Sequence, residues 1–388
     1  MERLNRDLGF WGAVLTGLGS ILGTGAFVSI AIASGMWGDR ILIAIPAAAL
    51  VAMLSGISTA FLASRYPVAG GTYEYGYETL NQWFGFTAGW VFLLAKTASA
   101  ATAALGISLY LGLDNRLIPI GVVSLMTILV LAGLKRTTMA NLVLVGLAVL
   151  GIISFAVSAP ARSVGVLVME RPVSNILPAT AFLFVAFTGF GRVATLGEEV
   201  RDPQRVIPRA VVLTLVIAAV LYWTIAWSGR TTGGAYWGSL IDLRTFDLPV
   251  VRVAAISAML GVLLNLVLGL SRVWLAMGRR GDMPTPLAEL NPSRQPRNAV
   301  ILAGALVALT TLVGDIGLAW SFSAMTVLIY YSITNLATLA VDRSRVTAWL
   351  GLASCLALSV FVPPTVWMIG AVGIVVGLLW KTLTSNRA

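Results

Sequence analysis

The stretch Gly17-Leu-Gly-Ser-Ile-Leu-Gly-Thr-Gly-Ala-Phe27 puts four glycines (Gly17, Gly19, Gly23, Gly25) and two hydroxyls (Ser20, Thr24) within nine residues of an otherwise apolar segment. Each glycine weakens a helix by about 1 kcal/mol relative to alanine. In hydrocarbon, opened backbone survives only where it lines a cavity or is buried in protein. The pattern therefore predicts a membrane span interrupted near its middle, with freed N–H and C=O groups facing a ligand. The competing reading is a close helix contact, since Gly19 and Gly23 stand at small-xxx-small spacing. A second glycine pair lies in Phe187-Thr-Gly-Phe-Gly191, again inside an apolar segment. Lys96, in Leu94-Ala-Lys-Thr-Ala-Ser-Ala100, is an ionisable group near mid-span, which costs at least ~2.5–3.5 kcal/mol on insertion scales and points to function. No Asp or Glu falls in the interior of a predicted span, so the partners open to Lys96 are hydroxyls and the carbonyls released by the two interruptions. The alternative is a static lysine that snorkels or binds water.

These residues need long apolar helices to position them. Hydrophobic residues make up 58% of the chain and charged residues 11%, with a mean hydropathy of +0.90, which indicates a polytopic membrane protein. Twelve spans are predicted, at 10–33, 41–64, 84–112, 117–134, 138–160, 176–197, 210–230, 248–277, 299–314, 316–340, 346–362 and 364–381. Met1–Asp7 runs directly into the first span, without a cleavable leader pattern. Seventeen of the 26 Lys and Arg residues fall on the side of the N-terminus and seven on the other, with Lys96 and Arg192 inside spans. That asymmetry predicts an even number of spans and cytoplasmic N- and C-termini. The net charge of +10 is spread over short loops and forms no patch for nucleic acid. The absence of histidine, a single cysteine (Cys355) and the lack of acids at depth leave no constellation for an intramembrane enzyme, and no metal or cofactor is implied. The two interruptions lie five spans apart. An odd offset inverts the second unit relative to the first, the inverted-repeat arrangement in which interrupted helices mark a transporter's binding site.

Five pieces recur in order: Gly19-Ser-Ile-Leu-Gly-Thr-Gly-Ala-Phe27, Pro67-Val-Ala-Gly-Gly-Thr-Tyr73, Gly189-Phe190, Glu198-Glu-Val-Arg-Asp-Pro-Gln-Arg-Val-Ile-Pro-Arg209, and Ser271-Arg-Val273 followed by Arg279-Arg-Gly-Asp-Met-Pro284. Together they resemble the amino acid–polyamine–organocation (APC) superfamily. The resemblance implies an all-α, leucine-transporter-like fold of 12 transmembrane helices: one five-helix repeat at about 10–160, an inverted one at about 176–340, two further helices at about 346–381, and helices 1 and 6 broken. It also implies a plasma-membrane permease that moves amino acids by alternating access, with the lipid bilayer as its other partner; oligomeric state stays open. By the family pattern, Thr24 and Gly25 offer N–H groups to a substrate carboxylate. Ile21, Val185 and Thr188 offer carbonyls to its ammonium. Ser20, Gly23 and Gly189 border the site, and Phe187 covers it or is simply a core aromatic. Neutral substrates are expected, because no acid at depth awaits a second positive charge. An anionic amino acid, another small amine, or an amino-acid sensor on the same fold are the alternatives.

The sequence departs from the family in two places. Gly191 and Arg192 stand where many relatives carry an acid, and span five has no lysine. Lys96 is the expected compensation, a built-in cation on the released carbonyls that changes its charge and couples transport to protons. Arg192, in the inner half of span six, is a second coupling candidate; the alternative is that it simply faces the cytoplasmic vestibule. Glu198 and Glu199 are candidates for a cytoplasmic gate, pairing with loop arginines such as Arg65 or Arg205. Asn265, Tyr330, Tyr331 and Asn335 are expected to pack and bridge helices.

Overall fold

In the computed structural model, residues 4, 6–113, 115–158, 176–231, 249–313 and 316–385 are described, and among them the chain is a bundle of helices. The first span is α1 (Phe10–Thr24), a π-helical turn (Gly25–Ser29) and α2 (Ile30–Trp37). Next come α3 (Ile41–Arg65), α4 (Thr72–Thr79), α5 (Gln82–Leu111), α6 (Leu117–Leu131) and α7 (Leu134–Ser158). The sixth span is α8 (Ile176–Phe187), a 3-10 turn (Thr188–Phe190) and α9 (Gly191–Ala194). Then follow α10 (Pro203–Thr231), α11 (Pro249–Arg279), α12 (Arg297–Val313), α13 (Ile316–Val341), α14 (Val346–Ser359) and α15 (Pro364–Ser385). Nine of the described helices are long and apolar enough to cross a membrane. Three shorter apolar helices, Leu117–Leu131, Arg297–Val313 and Val346–Ser359, stand where the fourth, ninth and eleventh spans are predicted. The predicted ends at 160, 248 and 314, and the outer-side arginines Arg162, Arg171 and Arg244, lie outside the described residues.

Local chemistry explains the element ends. The Asn81 side chain accepts hydrogen bonds from Trp83 and Phe84 N–H and starts α5; Gly112 ends it in the left-handed conformation (φ 73°). α10 starts seven residues before the predicted limit because Pro203 suits a first helical position and its extra turns carry Arg205 and Arg209 clear of the apolar stretch. The Pro67–Tyr73 piece is more than a turn: Gly70 (φ 114°) and Gly71 (φ 59°) turn the chain into α4, a helix too polar to register as a span.

α1 sits at the centre, packed on α7, α10 and α11, while α5 lies between α11 and α13. The α1–α11 contact is made by glycine: a Cβ on Gly23 would sit 2.7 Å from the Ala258 carbonyl carbon and 2.8 Å from Met259 Cα. On Gly19 it would sit 2.6 Å from Asn265 Nδ2. Gly19 and Gly23 therefore make close helix contacts. Asn265 donates to Asn141 Oδ1 at 2.6 Å, and Asn141 donates to the Leu15 carbonyl at 2.9 Å, tying α11 and α7 to α1 as an interhelix bridge.

Candidate functional site

Neither glycine-rich span unwinds, which corrects the expected breaks. Apolar surroundings penalise unpaired backbone, so each helix changes its hydrogen-bond register instead: wider at Gly25–Ser29 and tighter at Thr188–Phe190. The change still releases a carbonyl. Gly25 N–H, the donor that a continuous α-helix would give Ile21, goes to Leu22. That N–H is therefore not free for a carboxylate, contrary to the expectation from the family pattern. The 3-10 turn of the sixth span touches α1 just before its π turn. A Cβ on Gly189 would lie 2.5 Å from Ile21 Cγ1 and 2.6 Å from the Ser20 carbonyl carbon. Gly189→Ala is accordingly expected to push the two spans apart, costing about 1–3 kcal/mol in thermal unfolding and most of the transport activity in reconstituted vesicles.

Side chains from three other helices hold the carbonyls at this junction. From α5, Lys96 Nζ donates to the Thr188 carbonyl (3.1 Å) and Thr188 Oγ1 (3.0 Å); Thr188 Oγ1 in turn donates to the Val185 carbonyl (2.8 Å). From α13, the Tyr331 hydroxyl donates to the Thr188 carbonyl at 3.0 Å. From α10, the Tyr222 hydroxyl lies 2.6 Å from the Ile21 carbonyl and 3.0 Å from the Ala186 carbonyl. All three carbonyls assigned to a substrate ammonium thus have partners within the protein. Ser20 Oγ donates to the Thr16 carbonyl at 2.7 Å, along its own helix. Phe187 is buried with its ring centre 5.0 Å from that of Tyr222, so it packs beside the junction. Ser20, Thr24, Val185 and Thr188 are buried as well, and the junction is closed to solvent. Tyr222 is the member missed in the sequence; Tyr331 was expected to bridge helices, and its bond to Thr188 does so. A tyrosine in an apolar span whose hydroxyl needs a partner was the available signal.

A second cluster closes the end of the bundle that carries the N-terminal segment. Arg192 does not face open water: it is buried, donating to Thr195 Oγ1 (2.6 Å) and to Glu199 Oε2 (3.3 Å). Arg272 of α11 bonds Glu199 Oε1 through both Nε (3.0 Å) and Nη2. Glu198 pairs with Arg279 (2.8 Å) and accepts from Leu4 N–H (3.2 Å) and Ala69 N–H (3.4 Å). These partners replace the expected Arg65 and Arg205. Arg65 lies over the Phe61 ring, and Arg205 faces Asp202 on the surface. Burial raises the Glu199 carboxyl, but the guanidinia of Arg272 and Arg192 outweigh it and hold the group below the usual carboxylate range. Over the cluster runs the N-terminal segment, with Leu8 N–H donating to the Glu199 carbonyl (3.0 Å) and Arg201 N–H to the Leu8 carbonyl (2.8 Å).

Asp282, from the fifth recurring piece, is buried among Tyr73 (2.7 Å), Tyr77 (2.6 Å) and Lys381 (2.5 Å), tying α4 and α15 to the end of α11. Burial and the Asp282 carboxylate push the Tyr73 hydroxyl far above its ordinary pKa, so it stays protonated and donates.

The chain is 36% identical to an uncharacterized transporter of Mycobacterium tuberculosis (strain H37Rv), over 97% of this chain and 91% of that protein. It is 26% identical to a branched-chain amino acid permease of Bacillus subtilis, over 79% and 75% of the two chains. It is also 26% identical to a vacuolar cationic amino acid transporter of Arabidopsis thaliana, over 81% of this chain and 60% of the other. The amino acid permease family model matches residues 12–232, a stretch that holds both irregular turns, Lys96, Arg192 and Glu199. With two glycine-rich spans meeting at their backbones inside a bundle of apolar helices, the chain is an integral membrane transporter and belongs to the amino acid permease family of the APC superfamily.

Proposed function

We propose that the protein is a secondary active transporter of neutral amino acids, working by alternating access at the junction of the two irregular spans. The observation that carries this reading is the junction itself: two backbones in contact, their carbonyls held by Lys96, Tyr222 and Tyr331. Substrate binding would exchange these internal partners for the ammonium and carboxylate of a zwitterion. Groups at Thr24 and Gly25 would turn to the carboxylate, and those at Ile21 and Val185 to the ammonium. Lys96 stays on Thr188 as a built-in cation and is the proposed proton carrier.

Neutral substrates fit because, among the described residues, the donors and acceptors around the turns include no carboxylate to pair a second ammonium. The relatives' names point both ways, one to branched-chain and one to cationic amino acids. The twelve-span, inverted-repeat layout and a plasma-membrane location with cytoplasmic termini complete the reading. They are supported by the order of long and short apolar helices and by the positive-inside asymmetry. Glu198 and Glu199 then belong to the closed cytoplasmic gate.

Counterflow in proteoliposomes, screened over all twenty amino acids and repeated with an imposed pH or sodium gradient, tests this. Saturable exchange of neutral amino acids, with accumulation driven by the pH gradient, is the expected result. Binding without flux would mean a sensor, and uptake confined to lysine and arginine would overturn the neutral assignment.

A further inference from the structure

At Tyr222 the junction has more acceptors than donors. A phenol carries one proton. Its oxygen is within hydrogen-bond distance of two carbonyls, Ile21 on the first irregular span and Ala186 on the second. At the neighbouring Thr188 carbonyl the situation is reversed, with the Lys96 ammonium and the Tyr331 hydroxyl both donating. The Ile21 carbonyl is also the one whose α-helical donor, Gly25 N–H, has moved to Leu22. The hydroxyl lies against the bare Cα of Gly25: a Cβ there would sit 2.6 Å from Tyr222 Cζ and closer still to the hydroxyl oxygen. One small, fully buried seat thus lies between carbonyls of both spans, filled by a donor with too few protons.

We propose that the Tyr222 hydroxyl is a displaceable plug in the seat of the substrate's ammonium group. An ammonium has three N–H donors and satisfies both carbonyls at once, so exchange of phenol for ammonium is favourable where exchange for a hydroxyl or a carboxylate is not. A sodium ion fits the seat less well, since two carbonyls fall short of a hard cation's usual complement of oxygens. Tyr222 sits on α10 and its ring packs on Phe187, so its departure would carry the arrival of substrate to both. The inference rests on reading the chain as an amino acid transporter and assigns one residue of α10 to the substrate site.

Tyr222→Phe keeps the ring and removes the plug. Binding is read as the thermal shift of purified protein titrated with each of the twenty amino acids, and with the 2-hydroxy acid analogue of the one that binds best. The variant is expected to bind that amino acid about five- to tenfold more tightly than wild type, because no hydroxyl has to be displaced, with no gain for the 2-hydroxy acid. Tyr110→Phe removes a hydroxyl that serves a single carbonyl of the π turn, that of Phe27 at 3.1 Å, and is expected to give no tightening. Weaker or unchanged binding in Tyr222→Phe overturns the plug and makes the residue a structural tie. Equal gains for the amino acid and its 2-hydroxy analogue, or binding that becomes sodium-dependent, overturn the ammonium assignment. Where the Phe variant is poorly produced, Tyr222→Leu carries the same readings. Wild-type protein that binds none of the twenty amino acids overturns the amino acid substrate reading itself, and is told apart because it fails before any variant is made.

Discussion

Lys96→Met is expected to raise the melting temperature of the purified protein while abolishing pH-driven accumulation in proteoliposomes. The two effects have one cause. Lys96 is 3% exposed and, among the described residues, makes hydrogen bonds but no ion pair. Its nearest aromatic support, the Phe92 ring, is 5.9 Å away. An ammonium at that depth without a counter-charge is a standing cost, and an apolar side chain of similar volume relieves part of it, by about 1–3 kcal/mol. The Thr188 carbonyl would not be orphaned, since Tyr331 still donates to it. A lysine retained for structure would give the opposite sign, with stability falling on its removal.

For transport, loss of the cation removes the group that holds Thr188 and is the proposed proton carrier, so accumulation should fall by at least about tenfold, the usual scale for losing a charge-assisted hydrogen bond. Lys96→Arg separates the two roles: it keeps a cation that does not give up its proton at working pH. Residual counterflow without pH-driven accumulation is expected from it. Normal pH-driven accumulation by either variant would remove Lys96 from the coupling mechanism.

What could be read in advance divides along physical lines. The spans were legible because hydrocarbon demands long apolar segments, and the paired irregular turns because glycine and hydroxyl clusters are costly in such segments. The form of the irregularity was not. Whether a helix opens or changes register depends on what its neighbours offer, and here Tyr222, Tyr331 and Lys96 come from helices far along the chain. The packing of Gly23 was hidden for a related reason: a glycine facing a ligand and a glycine facing the α11 backbone look alike in sequence. Glu199 was recognised as a gate candidate, but its partners were sought among loop arginines, Arg65 and Arg205, and not within a span. Arg272 lies 73 residues away and looked like a topology signal because charge counting does not distinguish a solvated arginine from a buried one. α4 escaped notice because a short helix of tyrosines, acids and threonines has no hydropathy signature, and its aromatic face matters only once Asp282 and Lys381 are beside it.

Glu199→Gln is expected to be the most destabilising single change at the proposed cytoplasmic gate. Its carboxylate is the shared counterion of two buried guanidinia, Arg192 and Arg272, with side-chain exposures of 2% and 3%. Removing one member of a buried pair typically costs about 3–5 kcal/mol, because the charge left behind is neither solvated nor paired; here two are left. Arg192→Met should cost less than Arg272→Met. It leaves the Glu199–Arg272 contact intact, and that contact is made by two guanidinium nitrogens against one from Arg192. The double variant Arg192→Met, Glu199→Gln should recover part of the loss, since one stranded charge is gone. Denaturant unfolding of purified protein measures the order. The pH dependence has a definite sign. A carboxyl held below its ordinary value in the folded state contributes stability above its unfolded pKa, about 4.3, and loses it only as pH falls through the lower folded value. The carboxylate therefore stays ionised between pH 5 and 8, so a proton dependence of transport in that window is expected to come from elsewhere, with Lys96 the candidate. Gate opening can be followed separately. Cys355 is buried, so Ser20→Cys supplies a single accessible thiol when the inner side opens. Membrane-impermeant maleimide should label it in inside-out vesicles much faster in the Glu199→Gln background than with Glu199 in place. Equal labelling in the two backgrounds would mean that the cluster braces the fold without gating the site.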